Sequence, residues 1–181
     1  LTDGTQAGDS VTVTLTDSAG ETHEFTHTVT ADDITATKVE MTLTGSFAEG
    51  AASTVAVVTD EAGNSSANSN EVTFTIDTEA PDAPTLKLDE DTGSDDSDGI
   101  TSNGTVNVGN LEDGATWQYS IDGGDTWTDG TGTSFELEEG EYAAGDVVVR
   151  QTDAAGNTSN NGDNEVTFTI DTEAPDAPTL K

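Results

Sequence analysis

Apolar and polar residues alternate along most of this chain with a period of two, the pattern of strands that bury one face. Val11, Val13 and Leu15 alternate with threonines, and Asp17-Ser-Ala-Gly20 reads as a turn. Glu21 to Val29 returns as a second strand with Phe25 and Val29 on one face. Ala31 to Lys38 reads as a polar connection, after which Val39, Met41 and Leu43 alternate again. Gly45 to Gly50 is a loop in which Phe47 can plug a core. Val55 to Thr59 is a strand and Asp60 to Asn70 a long polar loop. Glu71 to Asp77 closes this half, with Val72, Phe74 and Ile76 pointing one way into its core.

The second half follows the same plan. Pro84 to Leu88 starts a strand, and Asp89 to Ser102 is a crossing rich in glycine and aspartate. Thr105 to Val108, Thr116 to Ser120, Thr126 to Thr128, Ser134 to Leu137, Asp146 to Thr152 and Glu165 to Asp171 supply further strands. Short strands at regular spacing, with turn signals between them, predict an antiparallel β-sandwich of the Ig-like kind. Trp117 is placed for the buried tryptophan of such a sandwich, and Tyr142 for a tyrosine corner.

The halves are copies. Asn70 to Lys87, NEVTFTIDTEAPDAPTLK, recurs without a change at Asn164 to Lys181. Such self-similarity marks a tandem array. The predicted organisation is all-β: Ig-like antiparallel sandwiches joined end to end by short acidic linkers. Residues 1–77 form one repeat lacking its first strand, residues 78–171 a complete repeat, and residues 172–181 the first strand of a third. Aligning Val11 with Gly104 leaves the first repeat without an equivalent of Thr78 to Gly93. The chain is therefore expected to be a segment of a longer array, offset by one strand. A neighbouring molecule's Ala177 to Lys181 is expected to fill the vacant edge by strand addition.

Composition sharpens this picture. With no cysteine, rigidity must come from something other than disulfides. Thirty-seven acidic residues face four basic ones, for a net charge of −33. That balance opposes contact with nucleic acid or anionic membrane surfaces. It also points to calcium, because hard divalent cations take clustered oxygen donors. In an Ig-like sandwich the loop before the last strand lies where the chain enters the domain. Asp153-Ala-Ala-Gly-Asn157 is then brought beside the linker, so that Asp77, Glu79, Asp82, Asp153 and Asn157 converge on one ion. The plainer alternative is a DxxGN turn whose aspartate accepts only backbone N–H groups. In the second acidic cluster, Asp89 to Thr101, the best ligands are Asp91 and Asp98. It does not match an EF-hand, having no D-x-D-x-D-G run closed by a glutamate at position twelve; its alternative is a solvated loop.

Other motifs carry less. Ser120-Ile-Asp-Gly-Gly-Asp-Thr-Trp127 resembles the Asp-box of sialidases, which in those enzymes is a structural hairpin away from the catalytic pocket. A single arginine, Arg150, cannot form their carboxylate-binding triad. His23 and His27 share a strand face about 13 Å apart, too far for one ion. Asn64, Asn103 and Asn157 sit in N-x-S/T sequons, common by chance in so Ser/Thr-rich a chain. No nucleophile is set beside a base, and no enzymatic activity is expected.

The runs VRQTDAAGNTS, NEVTFTIDTEAPDAPTL, DTGSDDSDGITSNGTVNV and WQYSIDGGDTWT together resemble the bacterial Ig-like repeats of giant RTX adhesins. These are type I-secreted surface proteins, including biofilm and ice-binding adhesins. The resemblance covers nearly all of residues 54–181 and is weaker before them. It implies an extracellular, cell-surface extender that holds a distal ligand-binding region away from the cell, with calcium stiffening the linkers and neighbouring repeats as partners. By residue it implies the ligands Asp77, Glu79, Asp82, Asp153 and Asn157 at the central joint. Asp60 and Asn64 would serve an upstream joint, and Asp171, Glu173 and Asp176 a downstream one. The alternative is a module that itself binds carbohydrate or a cell surface, which needs exposed aromatic platforms among Trp117, Tyr119, Trp127 and Tyr142.

Overall fold

Where two alternating stretches can meet, they form ladders. In the computed structural model, which describes residue 1 and residues 4–179, these ladders make an all-β chain with one short helix. They fall into two units, Leu1–Thr78 and Glu79–Lys181.

In unit 1, β1 (Ser10–Thr16) and β2 (Thr22–Thr28) form a hairpin with Thr16 opposite Thr22. β3 (Gly50–Thr59) lies on the other side of β1, and β4 (Val72–Ile76) beyond it. The antiparallel order is β2-β1-β3-β4. Two expectations are corrected here. The polar connection contains a helix, α1 (Ala31–Ala36). Thr30 and Asp33 cap each other's backbone N–H groups, a reciprocal box that a T-x-x-D run can form as T-x-x-E does. Val39, Met41 and Leu43 belong to no ladder, because no described strand lies beside them. Phe47 does pack as a plug, edge-on to His23 and Phe25.

Among its described residues unit 2 holds ten short strands. β5 (Thr85–Leu88), β7 (Thr105–Gly109) and β10 (Ser134–Glu136) form one sheet, in the order β10-β7-β5. β8 (Thr116–Ser120), β9 (Thr128–Asp129), β12 (Val148–Thr152) and β13 (Gly162–Asp163) form another, in the order β13-β12-β8-β9. β11 (Gly140–Tyr142), β14 (Phe168–Ile170) and β6 (Ile100–Thr101) form the third. All pairings are antiparallel except that of β6 with β14. The sequence pattern missed β6, β11 and β13 because runs of two or three residues carry no alternation.

The sheets close over one core that includes Leu88, Val106, Val108, Trp117, Phe135, Val149, Phe168 and Ile170. Burying a side chain of this size contributes about 1.5–3 kcal/mol. Trp117 is buried as predicted; its indole N–H donates to the Gly132 carbonyl at 3.0 Å. The Tyr142 hydroxyl donates to the Glu138 carbonyl at 3.1 Å, the contact a tyrosine corner makes.

One peptide behaves differently in the two units. Phe168 and Ile170 are 5% and 2% exposed, whereas their identical counterparts are less covered: Phe74 is 39% exposed and Ile76 half-buried, while Val72 and its counterpart Val166 are exposed in both units. The expected anchoring of Val72 and Phe74 in a core is thus corrected. The registers give the reason. Ser10 faces Thr59 across β1 and β3, Thr116 faces Thr152 across β8 and β12, and a D-x-A-G-N turn follows each. β1 is therefore the counterpart of β8, and Val11 corresponds to Trp117 rather than to Gly104. Among its described residues unit 1 has no counterpart of β5, β6 or β7. Val39–Leu43 forms no ladder, and β7, the strand that pairs with both β10 and β5 in unit 2, has no described equivalent beside it. What remains is an open groove of about 830 Å³, lined by Val13, Met41, Leu43, Ala56, Val58 and Phe74 among others.

Candidate metal centres

Three aspartates open D-x-A-G turns, and each folds its turn around its own carboxylate. Asp153 Oδ1 accepts the backbone N–H groups of Ala155, Gly156 and Asn157 at 2.7–2.8 Å, and Oδ2 accepts the Asn157 amide at 2.8 Å. Asp60 accepts the Asn64 backbone N–H at 2.8 Å and its side-chain amide at 2.9 Å. Asp17 accepts the N–H groups of Ala19 and Glu21 on one oxygen and that of Ala48 on the other. Hydrogen bonds to the charged form lower a carboxyl pKa. The side-chain amides of Asn157 and Asn64 lead this effect at Asp153 and Asp60, and the Ala48 N–H leads it at Asp17. These carboxylates are ionised at neutral pH, yet most of their lone pairs serve the turn. For a cation, Asp153 and Asp60 offer chiefly what is left on Oδ2.

The linker is held differently. Asp82 keeps an exposed side chain while its backbone carbonyl accepts the Gln151 amide at 2.7 Å. Gln151 lies in β12, two residues before Asp153, so the linker end and the Asp153 turn share one strand as their support. Asp77 and Glu79 are exposed and both interact with neighbouring groups.

In the second acidic cluster the chain turns back so that Asp91 Oδ2 accepts the Gly99 N–H at 2.9 Å, one residue beyond Asp98. Asp98 accepts the Ile100 N–H at 2.9 Å. Asp91 Oδ1 is buried without a partner, a costly state for a carboxylate oxygen and one that a bound cation would relieve. The residues present therefore fit a hard cation better here than at the saturated turns. Downstream, Asp171 accepts the Glu173 N–H at 3.1 Å; Asp171, Glu173 and Asp176 are all exposed.

One grouping was not foreseen. Asp17, Glu21 and His23 bring a ligand atom each within 4.8 Å of one another at the β1–β2 turn. Distance along β2 separates the two histidines from each other but not from groups across the hairpin turn. Hairpin register puts His23 opposite Leu15, beside Asp17 rather than beside His27. His27 instead meets Asp33 at 2.8 Å. Imidazole with carboxylates suits a transition metal more than calcium. The Asp-box residues form the structural hairpin expected of them. Asp122 is held down to about 2, first by the Ser120 hydroxyl and then by the hydroxyl and N–H of Thr126. Arg150 lies 3.9 Å over the Trp127 ring. Gln151 and Asn110, which no sequence pattern marks, and Asn164, which the repeat includes without showing its role, are further residues on which the loops depend.

No protein-family model matches the chain, and no curated protein matches it. Among solved structures it is similar to two from large adhesins. One comes from work on host cell surface retention of a 1.5-MDa bacterial ice-binding adhesin, at 20% identity and a TM-score of 0.38 over 95% of this chain. Another is a tetra-tandem repeat from the extending region of a large adhesion protein, at 19% identity and a TM-score of 0.31 over 93% of this chain. The chain spans about half the length of these structures, 56% of the first and 43% of the second. The all-β assignment rests on this chain's own ladders. No helix among the described residues is long and apolar enough to cross a membrane.

Proposed function

We propose that this chain is an extender segment of a secreted bacterial surface adhesin, a non-enzymatic spacer whose acidic joints calcium rigidifies. The observation that carries the reading is the strand–linker–strand peptide Asn70–Lys87, repeated identically at Asn164–Lys181. Identical joints recur where a chain is built as a string. Its setting is extracellular and its partners are neighbouring repeats.

Calcium would take Glu79 and Asp82 of the linker, Asp77 before it, and the remaining capacity of Asp153 and Asn157. Asp60 with Asn64, and Asp171, Glu173 and Asp176, are the matching halves of joints on either side. Asp91, with its unpartnered oxygen, and Asp98 would hold an ion inside unit 2. When bound, the cation supplies charge neutralisation and oxygen coordination. The chain supplies the rest: preformed turns that aim their carboxylates, and prolines that limit the linker's freedom. Without the cation the linker carboxylates repel one another. Extracellular calcium, at about millimolar, fills even weak modular sites.

The carbohydrate-binding alternative loses its platforms. Trp117 is buried, Trp127 is covered by Arg150, and Tyr119 stacks on Phe135 at 4.2 Å. Strand addition by residues 177–181 would fill only part of the unit 1 groove, which stands where unit 2 places β7 and its neighbours; Leu180 and Lys181 lie outside the described residues. Small-angle scattering in calcium and in chelator tests the stiffening. A narrower distribution of solution shapes is expected with calcium, and superimposable curves would refute the proposal.

A further inference from the structure

Gln151 is an anomaly in its strand. It is 1% exposed among Val147, Val149 and the rest of an apolar core. Glutamine is seldom fully buried, and when it is, each polar atom needs a partner. Here each has one. Its Nε2 donates to the carbonyls of Asp82 at 2.7 Å and Asn110 at 2.9 Å, and its Oε1 accepts the Glu112 N–H at 2.8 Å. In unit 1 the same register position is held by Val58.

The next linker residues are held as well. Asn110, at φ 58°, donates its side-chain amide to the Ala83 carbonyl at 2.9 Å. Gly162 lies so close to the Pro84 carbonyl that a Cβ there would fall 1.8 Å from its oxygen. Three consecutive carbonyls, those of Asp82, Ala83 and Pro84, thus each meet a specific residue of unit 2. The second copy of the peptide, EAPDAP at residues 173–178, is exposed throughout, although Pro84 is buried.

We infer that Gln151 is a positioning residue that fixes the path of the linker into unit 2 without any cation. It holds the Asp82 backbone and leaves the Asp82 carboxylate facing solvent. Half of the joint is then rigid before calcium arrives. This goes beyond the calcium reading and does not depend on it, because the contacts are between neutral amides.

The repeated peptide supplies its own control. An endoprotease that cleaves after aspartate meets Pro-Asp-Ala at Asp82 and again at Asp176. In chelator, cleavage of the wild-type chain is expected after Asp176 and to be slower after Asp82 by on the order of tenfold or more, since opening must first break these bonds. Q151L should bring the two rates together. N110G keeps the left-handed backbone and removes only the amide, and should narrow the gap in part. Tryptophan fluorescence during urea unfolding shows whether each variant keeps its core; if Q151L does not, N110G and the wild-type ratio decide. Equal cleavage at Asp82 and Asp176 in the wild type would overturn the inference. So would a ratio left unmoved by both variants. Because calcium is absent throughout, a failure of the stiffening proposal leaves this result untouched.

Discussion

Replacing Asn164 by alanine should cost unit 2 a large part of its stability, while the same change at Asn70 should cost unit 1 almost nothing. Both open the peptide NEVTFTID. Asn164 is 1% exposed and its side chain makes five hydrogen bonds. Its Oδ1 accepts the N–H groups of Gly145 and Val147 at 3.0 and 2.9 Å. Its Nδ2 faces the carbonyls of Tyr142, Ala143 and Val166 at 3.3, 2.9 and 3.1 Å. The Val147 N–H lies in the core and has no water to turn to. A net contribution of about 1 kcal/mol per bond, with a penalty of about 1–3 kcal/mol for each buried group left unsatisfied, gives a loss on the order of 4 kcal/mol after local relaxation. Asn70 is exposed, and surface changes usually stay within about 0.5 kcal/mol. Both tryptophans, Trp117 and Trp127, lie in unit 2, so intrinsic fluorescence during urea unfolding reports that unit alone. A midpoint for N164A within error of the wild type would refute the view that this side chain organises the loops, and calorimetry of N70A reads the cost to unit 1.

Three further outcomes are expected. F168A should destabilise unit 2 by about 3–5 kcal/mol and F74A should cost unit 1 distinctly less, measured by calorimetry of each variant; equal losses would contradict the difference in burial. Asp122 has its pKa lowered from the ordinary 3.8 to about 2. Its contribution is therefore fully present above pH 3.8 and lost as pH falls through about 2; D122N should flatten that part of the acid-unfolding curve read from tryptophan fluorescence. D91N should shrink the rise in melting temperature that calcium produces while leaving the melt in chelator unchanged or higher; an undiminished calcium effect would remove Asp91 from the ligand set.

The strands of unit 2 were legible because Val106 with Val108 and Trp117 with Tyr119 keep a strict alternation. Alternation also marks Val39 to Leu43, yet no ladder forms there. Periodicity states which face a strand would bury, not whether a neighbour exists to bury it. Phe74 and Phe168 make the same point, since no local reading can separate identical peptides. The acidic residues of the turns were legible as turn formers and as oxygen donors alike. Only geometry shows that Asp153 Oδ1 is already engaged by three N–H groups while Asp91 Oδ1 has none. Gln151 was overlooked because a single polar residue in an apolar strand has no spacing to betray it.

The side-chain amides of Gln151 and Asn164 bind main-chain atoms alone. Every residue type carries those atoms, so the residues at the receiving positions can change identity without loosening the hold. Such a scaffold is indifferent to what its loops display. It can accumulate carboxylates, or exchange them for other chemistry, while the same two amides keep their hold on the backbone.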